Sequence, residues 1–207
     1  MNMRMGSATA RARHDRPETV KAPLFDQMIG QLEADRRWVV LELGGASTEL
    51  LDVLSGFLTR VEIADMQGCG GLDMLNAATE VEEIEKLAEL VLPRTASGEP
   101  IDVVLCWDLL NYLQPPAIDA LARAIEARAR PGTLAHGLVV YSDIDMPVTP
   151  RRFRPTADRH LREITDTTGT VKAPRYSPET LSRTMGNFSI ERAMLLANGM
   201  QEFLFRL

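Results

Sequence analysis

Short apolar runs alternate along this chain with amphipathic segments, which is the pattern of strands connected by helices. Four runs rich in Val, Leu and Ile predict buried strands, at residues 38–43, 60–64, 101–106 and 134–141. Apolar stripes at helical spacing predict helices after Ser47, over residues 78–91 and from Pro115. Strands joined through helices pair in parallel with right-handed crossovers, so this pattern favours an open, mostly parallel sheet with helices on both faces.

The last third of the chain departs from this alternation. Residues 142–175 are polar and show no clear period, and a helix is predicted after them over residues 177–185. Two strands follow, over residues 188–196 and 202–207, with a turn at Gly199 between them. The complete prediction is a three-layer α/β sandwich with a sheet of about six or seven strands and a C-terminal antiparallel hairpin.

Length and composition indicate one ordinary globular domain. We assign that domain to residues 23–207 of the 207, after a disordered, Arg- and Ala-rich tail of residues 1–22. The alternative for this tail is a helical organelle-targeting peptide, although Asp15 and Glu18 interrupt its basic run. The sequence has no apolar run near the roughly 20 residues that span a bilayer and no secretory signal, so a cytoplasmic protein without membrane contact is expected.

Charge and residue counts argue against two classes of ligand. A net charge of −6 and an aromatic content of 5% disfavour a nucleic-acid surface, which needs basic and stacking side chains. Three scattered histidines and two cysteines give no metal-ligating spacing, and no metal is expected. His136 falls inside a predicted strand and is expected to be a core histidine.

Candidate chemistry lies where the first two strands end. Glu42 closes the first strand, Gly44-Gly45-Ala46 break it, and Asp65 ends the second strand about 20 residues further on. Ligands of open α/β sheets bind outside the carboxyl ends of the strands. The side chain of Asp65 is short and, when ionised, accepts hydrogen bonds only, so it suits the two hydroxyl donors of a ribose.

The order and spacing of four segments resemble the class I S-adenosylmethionine-dependent methyltransferases. These segments are Leu41-Glu42-Leu43-Gly44-Gly45-Ala46-Ser47, residues 101–113, Ala129-Arg130-Pro131-Gly132 and the closing residues 199–207. The resemblance implies a Rossmann-like methyltransferase fold and S-adenosyl-L-methionine as the methyl donor. It further implies methyl transfer to an unidentified acceptor, which is a small molecule or a protein.

The resemblance also implies roles for individual residues. Cofactor contacts are expected from Glu42, Gly44, Gly45, Ala46, Asp65, Met66 and Trp107. Met66 is expected to cover the adenine face, with plain packing as the alternative. Asp108 is the candidate base, or else a helix N-cap, and Asn111 and Tyr112 are candidate substrate contacts.

Two departures from the family pattern leave a second function open. Ala46 and Thr48 occupy the positions of the later glycines, and residues 66–100 contain no convincing third strand ending in an acid for adenine. A catalytically inactive binding or regulatory protein is therefore the alternative. A nicotinamide site ranks below both, because its fingerprint wants glycines where Ala46 and Glu49 stand.

A basic insertion interrupts the domain at residues 146–176. Its arginines are Arg151, Arg152, Arg154, Arg159 and Arg162. Guanidinium groups bind carboxylates and phosphates, so one hypothesis is a lid or a clamp for an anionic substrate. The alternatives are a solvated loop and an arm that binds a protein partner.

Overall fold

The computed structural model describes residues 18–94, 98–165 and 169–207, so most of the predicted tail lies outside the described residues. In chain order the elements are β1 (Glu18–Val20), α1 (Pro23–Gly30), β2 (Arg37–Glu42), α2 (Thr48–Leu54), β3 (Leu58–Ile63), α3 (Gly71–Ala77), α4 (Val81–Val91), β4 (Ile101–Trp107), a short 3-10 helix (Leu109–Tyr112), α5 (Pro115–Glu126), β5 (Ala129–Val140), β6 (Asp145–Pro147), β7 (Arg152–Pro155), β8 (Leu161–Ile164), β9 (Thr170–Lys172), α6 (Pro178–Thr184), β10 (Ser189–Leu195) and β11 (Met200–Arg206).

A six-stranded sheet forms the centre of the described chain, in the spatial order β10-β11-β5-β4-β2-β3. The four strands β3, β2, β4 and β5 run parallel, and β11 and β10 close the sheet as an antiparallel hairpin. This confirms the predicted mostly parallel sheet and its C-terminal hairpin. The carboxyl ends of β2, β3 and β4 meet at one edge, which is where the candidate residues lie.

Apolar helix faces cover both sides of the sheet. Helices α1 and α2 pack on one face through Phe25, Leu50 and Leu54, and α3 to α6 pack on the other through residues such as Ile84 and Ile118. The sheet is therefore the middle layer of three, as predicted. Among the described residues no helix is both long enough and apolar enough to span a bilayer.

The segment between β3 and β4 differs from the prediction. Helix α3 was not predicted, because Gly70 and Gly71 resemble a loop; Gly70 adopts a left-handed φ of 72° just before the helix. Helix α4 begins at Val81, three residues later than expected. The described residues of this segment form helices without a strand, so the sheet ends at β3.

The insertion and the N-terminal segment form a second, smaller layer of strands. β1, β8 and β7 make a three-stranded antiparallel sheet, and β6 pairs with β9. Residues 18–22 are thus ordered, which corrects the predicted boundary of the tail at residue 22. β1 and the insertion strands are three or four residues long, which is too short to show a hydrophobic period.

A buried carboxylate holds α1 against the sheet beneath the candidate site. Glu202 on β11 accepts hydrogen bonds from the backbone N–H groups of Leu24 and Phe25, at 3.0 and 2.8 Å. Nε2 of His136 on β5 lies 2.8 Å from the same carboxylate, and both side chains are fully buried. His136 is therefore a core histidine, as expected. Glu202 supplies the hydrogen-bond acceptor that the first backbone N–H groups of α1 do not have within the helix.

We expect Glu202→Ala to lower the free energy of unfolding by about 3–5 kcal/mol, because two helix N–H groups and His136 lose a buried partner. Urea denaturation measures the change. Glu85→Ala, on the exposed face of α4, is the matched control and should alter stability by less than about 0.5 kcal/mol. Equal, small effects of the two substitutions would contradict the anchoring role of Glu202.

Candidate functional site

The turn after β2 is shaped by a contact that only glycine permits. A Cβ atom at Gly44 would lie 2.7 Å from Oε1 of Glu42 and 2.9 Å from Cδ1 of Trp107. At Gly45 the nearest atom to such a Cβ would be Oδ1 of Asp65, at 3.6 Å, which is an ordinary contact. Gly44 is thus required by the local packing, and the chain then enters α2, which Ser47 caps by accepting a hydrogen bond from Leu50 N–H.

Glu42 lies buried beneath this turn at the end of β2. Its Oε1 accepts hydrogen bonds from Gly44 N–H, at 2.7 Å, and from the Trp107 indole N–H. Its Oε2 is buried and has no hydrogen-bond partner in the described part of the chain. Burial raises the pKa of Glu42 from its usual 4.5 to about 8, so the folded protein holds this carboxyl mostly protonated at neutral pH.

Trp107 forms the floor between the sheet and the insertion. It ends β4 with a left-handed φ of 49°, a conformation that bulky residues seldom adopt. Its ring stacks on Phe153 of β7 with a centroid distance of 6.0 Å and an interplanar angle of 16°. Its ring also packs against the ring of His136 in a T-shaped arrangement, with a centroid distance of 6.1 Å. Trp107 therefore connects Glu42, the core and the insertion.

Asp65 lies just after β3, beside the glycine turn. Its φ of 45° is left-handed, which Asp and Asn tolerate better than most residues. Oδ1 accepts a hydrogen bond from Gly68 N–H at 3.1 Å, and the side chain is exposed. A carboxylate offers about four lone-pair positions, so Asp65 retains acceptor capacity for a ligand.

These elements enclose a cavity of about 470 Å³ at the carboxyl edge of the sheet. Its wall is formed by Gly44, Gly45, Ala46, Ser47, Asp65, Gln67, Gly68, Trp107, Leu109, Pro150, Arg151, Arg152, Phe153 and Arg154. The volume falls within the range of about 300–1,000 Å³ that is typical of small-molecule sites. Ala46 lines the cavity without filling it, and Thr48 is not part of the wall, so the two departures from the glycine pattern leave the crevice open.

Met66 does not reach this cavity, which corrects its predicted role. Its side chain is fully buried in the core cluster that contains α3 and α4. A Cβ at Gly71 would lie 3.2 Å from the Met66 Cε atom, which shows how closely α3 packs on it. The turn at Asp65 directs the next side chain inward, and the alternative of plain packing therefore applies.

Asp108 lies behind the cavity wall rather than in it. Its carboxylate is fully buried, and Oδ2 accepts hydrogen bonds from Arg151 N–H at 3.2 Å and from Arg151 Nη1 at 3.1 Å. Nε of Arg151 is also 2.7 Å from Glu163 Oε1. Burial raises the pKa of Asp108 to about 7. Asp108 Oδ1 is buried and has no hydrogen-bond partner in the described part of the chain. The structure thus gives Asp108 a contact that anchors the insertion, and its role as a base stays a prediction.

The polar groups of Asn111 and Tyr112 form hydrogen bonds to backbone groups of the chain. The Asn111 amide donates to the carbonyls of Asp108 and Leu138 and accepts from Val140 N–H, so its polar atoms bind backbone. The Tyr112 hydroxyl lies 2.9 Å from the carbonyls of both Pro147 and Thr149 in the insertion. Both residues line a second cavity of about 350 Å³, but the predicted substrate contacts by their polar groups are replaced by backbone contacts.

The insertion supplies wall residues that sequence reasoning did not identify. Phe153 and Arg151 were within the predicted lid, yet no periodicity indicated which side chains would turn toward the sheet. Two of its guanidinium groups are already paired, since Arg154 and Arg162 lie 3.1 and 3.0 Å from Oε1 of Glu49 on α2. This pairing weakens the hypothesis of an anion clamp.

Within the described residues no group of three or more His, Cys, Asp or Glu side chains is arranged to hold a metal ion.

Comparison with known proteins gives a match in structure alone. No family model matches the chain, and no curated protein matches its sequence. The glycopeptide N-methyltransferase MtfA, solved with S-adenosyl-L-homocysteine, is similar with a TM-score of 0.51 and 15% identity over 89% of this chain and 87% of that chain. Its complex with sinefungin gives a TM-score of 0.51 and 13% identity over 89% and 91%.

A third solved structure extends the likeness to another methyltransferase. The S-adenosylmethionine-dependent methyltransferase from Mesorhizobium loti is similar with a TM-score of 0.52 and 14% identity, over 89% of this chain and 96% of that chain. At such identities the likeness concerns the fold. Together with the strand order and the C-terminal hairpin, it shows that this chain has the fold of the class I S-adenosylmethionine-dependent methyltransferases.

Proposed function

We propose that this protein binds S-adenosyl-L-methionine in the cavity beside the glycine turn and transfers its methyl group to an acceptor, either a small molecule or a protein. One observation carries the proposal: the cavity is open, of ligand size, and bounded by both Gly44 and Asp65 at the carboxyl edge of a methyltransferase-type sheet. The similar methyltransferases of known structure support the same assignment.

The residues of the cavity fit such a ligand. Asp65 is an exposed carboxylate, suited to the two hydroxyl groups of a ribose. Gly44 places its backbone at the edge of the cavity, in a position where a side chain would collide with Glu42 and Trp107. Glu42 lies beneath the turn and is not part of the cavity wall, but its buried Oε2 has no hydrogen-bond partner in the described part of the chain, so a cationic group placed nearby would favour its carboxylate.

The bound donor supplies an activated methyl group on a sulfonium, so the chain itself needs to position the reactants and exclude water. Trp107 and Phe153 form an apolar wall on one side of the cavity. Arg151, fixed by Asp108 and Glu163, holds the insertion over it. Asp108 acts through Arg151 as a positioning residue.

A second candidate is a protein that binds the same ligand without turnover. The observation that favours it is that Asp108, the predicted base, has its carboxylate engaged by Arg151 outside the cavity wall. An acceptor that must lose a proton would then need another base. Acceptors that are nucleophilic without deprotonation are compatible with the first candidate.

Calorimetric titration with S-adenosyl-L-methionine and S-adenosyl-L-homocysteine tests the proposed binding. Submillimolar binding of both is expected, and the absence of binding heat at millimolar ligand would refute both candidates. Incubation with methyl-labelled donor and a fractionated cell extract then separates them. Enzyme-dependent transfer of label to an extract component supports the methyltransferase, and binding without any transfer supports the second candidate.

Asp65→Asn should weaken binding of S-adenosyl-L-homocysteine about tenfold or more, because hydrogen bonds to a charged acceptor contribute about 1.5–3 kcal/mol. Asn tolerates the left-handed backbone at this position, so the fold should be retained. Calorimetry measures the affinity. Asp52→Asn, on an exposed face of α2, is the control and should bind like the unmodified protein; equal affinities of both variants would contradict the role of Asp65.

Gly44→Ala should also reduce the affinity, by about tenfold or more (about 1.4 kcal/mol), because its Cβ would force the turn away from Glu42 and Trp107. Gly56→Ala is the matched control, since a Cβ there meets nothing within 4 Å. Calorimetry and a thermal melt are measured on both. Unchanged affinity in a folded Gly44→Ala protein would contradict the role of this turn in binding the ligand.

Binding of the cationic ligand at neutral pH should release a proton from Glu42. The pKa of Glu42 is about 8 without ligand, and a nearby positive charge favours the carboxylate and lowers that pKa. Affinity should therefore rise as the pH increases toward 8. Calorimetry in two buffers with different ionisation enthalpies counts the protons, and Glu42→Gln should abolish the release; identical proton release in this variant would assign the proton elsewhere.

A further inference from the structure

The second cavity adjoins the first at the carboxyl edge of the sheet. Gln67 and Pro150 belong to the walls of both cavities, so the two cavities meet at these residues. The second cavity has a volume of about 350 Å³, at the low end of the range of about 300–1,000 Å³ for small-molecule sites. It therefore lies where an acceptor would meet a donor bound in the first cavity, and its size suits a molecule of one or two rings.

Hydrogen bonds between elements that are distant in sequence fix the wall of the second cavity. Asn76 of α3 donates to the carbonyl of Tyr112 at 2.6 Å and accepts from the N–H of Gln114 at 2.8 Å. The hydroxyl of Tyr176 donates to the carbonyl of Leu113 at 2.7 Å. These contacts join α3, the 3-10 helix and the segment before α6, so they preorganise the cavity for a ligand.

Two tyrosines contribute rings to this wall, while their hydroxyl groups bind backbone. The hydroxyl of Tyr112 lies 2.9 Å from the carbonyls of Pro147 and Thr149, and that of Tyr176 is held by Leu113. Burial raises the pKa of both hydroxyls, so neither is suited to act as a base. The rings supply a surface that binds apolar groups and cations.

The uncompensated charge of the second cavity is negative. Asp73, in the first turn of α3, is exposed and forms no hydrogen bond or ion pair with the described part of the chain. The other charged residue of the wall, Lys172 of β9, lies directly opposite Asp145 of β6 in the antiparallel register. Opposed residues share one face of such a pair, so Asp145 offsets the charge of Lys172, and the carboxylate of Asp73 is left for a ligand.

We propose that the second cavity binds the methyl acceptor, and that this acceptor is a small amine with an apolar body of one or two rings; the inference rests on the proposed methyl transfer. An ammonium group near Asp73 and the tyrosine rings gains both a charge pair and a cation–π contact. The apolar body covers Val148 and Val171, two wall residues that are 42% and 41% exposed.

The reacting atom of the acceptor is distinct from this ammonium group. Asp73 borders the second cavity alone, so the atom that receives the methyl group lies toward Gln67 and Pro150, where the cavities meet. A lone pair of this uncharged atom forms the bond to the methyl carbon, and the carbon–sulfur bond breaks with its electron pair left on sulfur. The positive charge passes from the sulfonium to the acceptor, and any proton that the acceptor then loses goes to water.

Three indole probes that differ only in their charged group test the inference, by ligand-detected NMR titration of the chain saturated with S-adenosyl-L-homocysteine. Tryptamine should bind about threefold or more tighter than tryptophol, which has a hydroxyl in place of the ammonium, and indole-3-acetate should bind most weakly. Asp73→Asn should remove the preference for tryptamine. Asp52→Asn is the control, because Asp52 is an exposed carboxylate on α2 that borders neither cavity, and it should keep the preference.

A second substitution tests the site without removing Asp73. Val171→Lys adds a positive charge to the wall and should weaken tryptamine binding about threefold. Met194→Lys on β10 is matched to it, since both side chains are 41% exposed and Met194 borders neither cavity. Calorimetry with S-adenosyl-L-homocysteine on all variants checks that the first cavity is intact.

The outcomes separate this inference from the proposed function. Equal binding of tryptamine and tryptophol by a chain that binds S-adenosyl-L-homocysteine overturns the inference and leaves the proposed function in place. A preference for tryptamine that persists in folded Asp73→Asn and Val171→Lys proteins, judged by circular dichroism, overturns it equally. A chain that does not bind S-adenosyl-L-homocysteine refutes the proposed function, and the inference falls with it.

Discussion

The close contact of Gly44 with Glu42 and Trp107 sets the shape of the candidate site. A Cβ at Gly44 would lie within 2.9 Å of both side chains, so the turn after β2 can only take its path with glycine. The N–H groups of Gly44 and Trp107 converge on one carboxyl oxygen of Glu42. Burial keeps that carboxyl mostly protonated at neutral pH, and the cavity opens directly beside the turn.

The insertion depends on the same region through three contacts. Phe153 stacks on Trp107, Arg151 binds Asp108, and the Tyr112 hydroxyl meets insertion carbonyls. The last residue of β4 and the residues just after it therefore anchor the cavity wall. The position of Asp108 and Tyr112 at the carboxyl edge of the sheet suggests a role in catalysis. In the structure, their polar groups instead hold the insertion in place. The proposed methyl donor is already activated, so the proposed reaction requires positioning of the reactants more than it requires proton transfer.

The sequence predicted the elements whose signal is local. The central strands β2 and β4 are apolar runs that are almost completely buried, and α5 and α6 begin at prolines, so pattern and boundary agree. Helix α3 was not predicted because its N-cap, Gly70, and its first residue, Gly71, are glycines, which are typical of a loop. β1 and the insertion strands were not predicted because they are only three or four residues long, and β1 in addition pairs with a strand that is more than 140 residues away in sequence.

The candidate site likewise contains some residues that the sequence predicts and others that it does not. Asp65 and the glycine turn were predictable, since spacing along one strand–helix–strand unit determines where they lie. Position at a strand end does not determine the direction of a side chain, and tertiary packing turned Met66 and Asp108 inward. Phe153 reaches the cavity only because the insertion folds back over β4, which no local pattern encodes.

The most direct test of the central claim is a crystal structure of this chain with S-adenosyl-L-homocysteine. The ribose hydroxyl groups should lie within hydrogen-bonding distance of the Asp65 carboxylate, and the amino-acid end of the ligand should contact the turn at Gly44. A ligand bound elsewhere, or a cavity closed by Trp107 and Phe153 with Asp65 turned to solvent, would contradict the assignment of this site.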